Sequence, residues 1–154
     1  MVTSDCISEC KSEEALSFIA ELMAQRKLTV ITLGPYYRAQ VEEVIAKALE
    51  ASLNPPLDEP EAQALLIAKR LKDAHEVVLL SENKGVQAAC STIDEFKGIK
   101  VWTSLDLLVK AAKEMNLAEE ELLAMIREYT EQTGHHFRRK KIAKALQSYS
   151  TKPS

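Results

Sequence analysis

The sequence is sparing with the residues that cross-link or punctuate a fold. Of its 154 residues only three are cysteine and four are glycine. Cys6, Cys10 and Cys90 are odd in number and stand at no metal-ligand spacing, which argues against a disulfide framework or a zinc ribbon. They read as reduced thiols of a cytoplasmic protein. Aromatic residues make up 5% of the chain, so its core is expected to be aliphatic. No apolar run approaches the ~18 residues that a membrane span needs. The opening MVTSDCISEC has neither a charged n-region nor an apolar h-region, and no signal peptide is expected there. Internal repeats, low-complexity tracts and a clear domain boundary are all missing.

One further absence is local. Residues 135–154 contain no Asp or Glu, but carry Arg138, Arg139, Lys140, Lys141, Lys144 and Lys152. With 20 basic and 23 acidic residues in all, removing these six leaves 14 against 23, a balance of −9. An acidic body with a basic end suits self-docking, an acidic partner or nucleic acid.

What is present alternates between two periods. Residues 13–26 place Ala15, Phe18, Ile19, Leu22 and Met23 on one helical face, with Ser12 as N-cap and Glu13 and Glu14 in the first turn. Val2-Thr3-Ser4 is a short strand candidate ending at Asp5, and LTVIT (28–32) is a second, stopped by Gly34-Pro35. Residues 36–51 are helical. Asp58 and Glu61 stand at capping-box spacing ahead of Ala62, Leu65, Leu66 and Leu71. EVVLL (76–80) suits a strand covered on both faces, and IKVWT (99–103) a fourth. A short helix over about 84–90 separates these two. Helices follow from Ser104, over 118–131 up to Gly134, and over 137–149 with Ile142, Ala145, Leu146 and Tyr149 as its apolar stripe. The pattern predicts one α/β domain: a small parallel sheet of four to five strands flanked by helices, with a C-terminal helical extension. Residues 1–134 form its body, and the basic helix and tail at 135–154 belong to the same domain.

In such sheets ligands bind beyond the carboxyl ends of the strands. Asp5 and Glu82 are expected there, with Glu42 or its neighbour Glu43, and Glu61, at nearby helix starts. Converging carboxylates suit Mg²⁺ or Mn²⁺, which activate water and stabilise a phosphoryl displacement. Each acid also has a plain structural role open to it. Glu61 can close a capping box, Glu42 can face solvent, Asp5 can sit in a turn, and Glu82 can cap the short helix that follows. Lys84-Gly85 resembles a phosphate-binding turn without a full P-loop. His135-His136 with Cys6 or Cys10 matches no zinc spacing and suits a turn or a phosphate contact.

The order of these motifs resembles the PIN domain, a metal-dependent nuclease fold, and within it the prokaryotic branch related to toxins of toxin–antitoxin pairs. Ser4-Asp5 is similar to the Ser-Asp that closes the family's first strand. Asp58-Glu59-Pro60-Glu61-Ala62 is similar to the start of its central helix, and Leu79-Leu80-Ser81-Glu82-Asn83 stands where the family has an apolar strand ending in Asp-Asp. Gly98–Thr103 and Gly134–Arg139 match its later strand and its Gly-aromatic-basic turn. The resemblance implies a cytoplasmic endoribonuclease with catalytic Asp5, Glu42, Glu61 and Glu82. Asp5, Glu61 and Glu82 would hold Mg²⁺ or Mn²⁺, and Ser4, Asn83, Arg138 and Arg139 would contact RNA. The implied partners are RNA, an antitoxin protein and a second copy of the chain, with no membrane. The departure to Glu82-Asn83 carries the alternative: a catalytically degenerate PIN-like binding or assembly module.

Overall fold

The computed structural model describes residues 1–150. Lys152, read above with the basic end, lies outside them. The described residues form eight α-helices and four strands. In order these are β1 (Val2–Thr3), α1 (Ser4–Ser8), α2 (Glu13–Ala24), β2 (Val30–Ile31), α3 (Arg38–Glu50), α4 (Glu59–Leu71), β3 (Val78–Leu80), α5 (Lys84–Thr92), β4 (Lys100–Trp102), α6 (Ser104–Glu114), α7 (Glu119–Thr133) and α8 (Arg139–Ser150).

The expected parallel sheet of four to five strands is not formed. The strands pair only as β1–β2 and as β3–β4, two separate two-stranded pieces. β1 and β2 run parallel, Val2 opposite Val30 and Thr3 opposite Ile31. The reason is strand length. Paired strands two or three residues long offer few ladder bonds, and an isolated two-stranded pair is marginal in water. Around them stand long runs of Ala, Leu, Glu and Lys, which favour helix. The run 76–80, expected to be covered on both faces, is half-buried at Val78 and Leu79 and exposed at Leu80.

The chain divides into two compact units, with boundaries inside β3 and β4. The first comprises Met1–Leu79 and Asn83–Val101. Its core is aliphatic but for Cys90 and Phe96: Val41, Val44 and Ala48 of α3 pack with Ala62, Leu65 and Leu66 of α4 and with Val86 and Ala89 of α5. α4 starts as its sequence dictates. Asp58 Oδ1 accepts from Glu61 N at 2.9 Å, and Glu61 Oε2 accepts from Asp58 N at 3.0 Å. A carboxylate ties the edge of this core. Glu95 pairs with Lys69 at 2.8 Å and Lys47 at 3.0 Å. Burial alone would raise its carboxyl, but the two lysines hold it below the ordinary range.

The second unit comprises Leu80–Glu82 and the chain from Trp102 onward. α6, α7 and α8 enclose Leu105, Ala112, Leu122, Ile126 and Tyr149. Asn116 takes the left-handed conformation (φ 53°) at the end of α6, and Gly134 does so (φ 69°) at the end of α7. The Tyr149 hydroxyl donates to the carbonyls of Ala112, at 3.3 Å, and Leu117. Ala112 O already accepts from Leu117 N at 3.0 Å, so the acceptor that depends on the hydroxyl is the Leu117 carbonyl just past α6. Tyr149→Phe is expected to destabilise by about 1–2 kcal/mol, the cost of a missing bond plus a half-buried Leu117 carbonyl left without this donor. Urea denaturation checks this, and an unchanged midpoint would mean that water replaces the hydroxyl at no cost.

Candidate functional site

Asp5 does not end a strand. It lies in the first turn of α1, which Thr3 caps by accepting from Cys6 N at 3.3 Å. Its Oδ2 accepts from Gln63 Nε2 at 2.6 Å. Gln63 is buried on α4, and this bond satisfies its amide. Glu61, two residues earlier on the same helix, accepts from Asn83 Nδ2 at 2.8 Å in addition to its own cap bond. Burial lifts the Glu61 carboxyl above its ordinary range, and the bonds from Asp58 and Asn83 pull the other way. The first unit thus holds two carboxylate–amide pairs, Asp5–Gln63 and Glu61–Asn83. In each, an amide N–H takes one of the carboxylate's several lone pairs and fixes its orientation.

Asn83 also sets the next turn. As N-cap of α5 its Oδ1 accepts from Gly85 N at 2.6 Å. A Cβ on Gly85 would lie 2.1 Å from the Pro55 carbonyl oxygen. The Lys84-Gly85 turn therefore has its amide taken by a side chain and its open space filled by backbone, which leaves no phosphate cradle at Gly85.

Glu42 and Glu82 are placed differently. Glu42 accepts from Arg38 Nε at 3.3 Å, both side chains in solvent, while the neighbouring Glu43 pairs with Lys47. Glu82 belongs to the second unit. Its Oε1 accepts from Ser104 N at 2.7 Å and from the Ser104 hydroxyl, so it binds the first turn of α6. Its Oε2 lies 3.8 Å from His135 Nε2. His135 packs edge-on against Phe137, with ring centroids 4.9 Å apart, and Phe137 stacks on Tyr129 at 5.6 Å. Ser4 opens α1, beside Asp5 in sequence.

Mg²⁺ and Mn²⁺ ask for several oxygens turned toward one point. Among the described residues no group of three or more His, Cys, Asp or Glu is placed to hold a metal ion. The donor set does not fit the implied metal, because the acids are not gathered around one point. Cys90 is no nucleophile either: burial pushes its thiol up to about 11. Gln63, which occupies Asp5, carries no signal in the sequence, since it lies 58 residues away and reads locally as an ordinary helix residue. Ser104, which occupies Glu82, reads as the cap of its helix, but the cap is Thr103, and Ser104 in the first turn instead donates to a carboxylate 22 residues away.

The start of α8 has the opposite character. His136, Arg138, Arg139, Lys140, Lys141 and Lys144 are exposed. Among the described residues no carboxylate pairs with Arg138, Arg139, Lys140, Lys141 or Lys144. Lys141 N and Ile142 N both donate to Arg138 O, which places Arg138 at the helix entry. Four consecutive cations thus crowd the positive end of a helix dipole, where each is unfavourable.

Compared with protein-family models, curated proteins and solved structures, the chain matches none. No helix among the described residues is long and apolar enough to cross a membrane.

Proposed function

We propose that the chain is an RNA-binding module with the element order of the PIN resemblance, one that holds the phosphate backbone on Arg138–Lys144 and does not hydrolyse it. The observation that carries the reading is the cation cluster at the entry of α8. A sequence selected for stability alone would place acids there. Unpaired cations at that end repel one another and oppose the helix dipole, and a bound polyanion relieves both penalties. The engaged carboxylates support the second half of the reading. Asp5 and Glu61 are held by Gln63 and Asn83, and among the described residues they are gathered into no group of three or more metal-ligating side chains.

Fluorescence anisotropy of a labelled single-stranded RNA across a salt series tests this. Affinity should fall steeply with salt. Replacing Arg138, Arg139, Lys140 and Lys141 by alanine should flatten the slope by about 0.7 for each phosphate that is no longer neutralised. No binding at low salt, or the same slope in the variant, overturns the binding site. In parallel the RNA should stay intact with Mn²⁺. Cleavage that needs Mn²⁺ and disappears in Asp5→Ala would return the chain to the hydrolases.

A further inference from the structure

α2 is an amphipathic helix with no buried residue. Phe18 is 59% exposed, Met23 45% and Leu16 39%, while Ile19 and Leu22 on the same face are half-covered. Its position explains this. α2 is the crossover between β1 and β2, and a parallel pair only two residues long is too small a floor for a helix of 12 residues. The apolar arc is continuous, since positions 15, 18, 19, 22 and 23 follow the helical period.

The charges on α2 are ordered along it. Glu13 and Glu14 occupy its first turn. Glu21 is its third acid, no basic residue lies within it, and Arg26 and Lys27 follow after Gln25. These two are held against the helix end: Arg26 is left-handed (φ 56°), and Lys27 N donates to Leu22 O at 2.9 Å. None of Glu13, Glu14, Arg26 and Lys27 is ion-paired among the described residues.

We infer that α2 is the dimer interface of this chain, covered by α2 of a second copy running antiparallel to it. A twofold axis beside Ala20 sets Phe18 on the partner's Leu22 and Leu22 on the partner's Phe18. The same axis brings Glu14 to the partner's Arg26 and Glu13 to the partner's Lys27. Acids in the first turn, bases just past the last and an apolar seam between them make the two ends of the helix complementary to those of its own inverted copy, while Glu21, one residue from the axis, stands beside the partner's Glu21 and weakens the pair. A closed twofold interface requires that property. A parallel copy would set acid against acid. A single helix pair falls well short of the ~1,600 Å² typical of a stable interface. Dimerisation is therefore weak and reversible.

Sedimentation equilibrium of the full chain over a wide concentration range tests the inference. The wild type should pass from monomer to dimer, and Phe18→Glu should weaken the dimer roughly a hundredfold. Phe18 is exposed, so the variant keeps its fold, which circular dichroism verifies. A wild type that stays monomeric throughout overturns the inference, whether a different protein or a lipid surface covers α2 instead. So does a dimer that survives Phe18→Glu. A second pair of variants reads the charges. Glu13→Lys/Glu14→Lys and Arg26→Glu/Lys27→Glu should each be monomeric alone and should dimerise when mixed. A mixture that remains monomeric contradicts the antiparallel pairing.

Discussion

Replacing Gly85 by alanine is expected to remove roughly 3 kcal/mol of stability, at the upper end of the range for overpacking. Two effects oppose each other. Alanine favours a helix over glycine by about 1 kcal/mol, and Gly85 stands in the first turn of α5. Against this, the added methyl would meet the Pro55 carbonyl oxygen at 2.1 Å and Asn83 Oδ1 at 2.9 Å. The first clash is with backbone, which no side-chain rotation relieves, so overpacking wins. The damage should spread. Asn83 caps α5 and also donates to Pro56 O and Glu61 Oε2, so moving the 55–56 segment loosens the Glu61–Asn83 pair as well. Thermal or urea denaturation reads the effect. An alanine variant as stable as the wild type would mean that the 55–56 segment yields at little cost, and that the packing around Asn83 is loose. The same substitution leaves α8 untouched, so RNA affinity measured well below the melting temperature should hold.

The helices were legible because their signals are local. Ser12, Asp58 with Glu61, and Asn116 and Gly134 act within a few residues of themselves, and each caps or ends a helix where its type and spacing suggest. The sheet was not legible. Runs such as LTVIT and EVVLL have strand composition, but whether four such runs meet depends on pairing between distant segments, and of these two runs only Val30–Ile31 and Val78–Leu80 pair, the first with β1 and the second with β4. The partners of the candidate site residues were hidden for a related reason. Glu61 was recognisable as a capping residue, whereas the partners of Asp5 and Glu82 are set by tertiary structure. Asp5 finds Gln63 on α4, and Glu82 reaches the start of α6. The short helix after Glu82 is capped by Asn83 instead, whose shorter side chain reaches Gly85 N. The charge asymmetry survived intact, because it depends on composition and needs only an exposed helix to take effect.

Lys140→Glu combined with Lys141→Glu is expected to change stability and RNA affinity in opposite directions. At the entry of α8 each lysine opposes the helix dipole and repels Arg138 and Arg139. Each glutamate would interact favourably with the same dipole and the same arginines. The variant's melting temperature should therefore rise by a few degrees. RNA binding should fall on the order of a hundredfold at low salt, since two cations are removed and two anions face the phosphates. The pairing of signs separates the two explanations of the cluster. If these lysines were an indifferent solvated surface, the variant would gain stability and bind as before. If they were structural, it would lose stability. A gain in melting temperature with weaker binding is the outcome expected of residues kept for a ligand against the preference of the helix they stand on. Calorimetric melting and RNA anisotropy on the same preparation decide it, and a variant that binds RNA as the wild type does would remove the cation cluster from the function proposed for this chain.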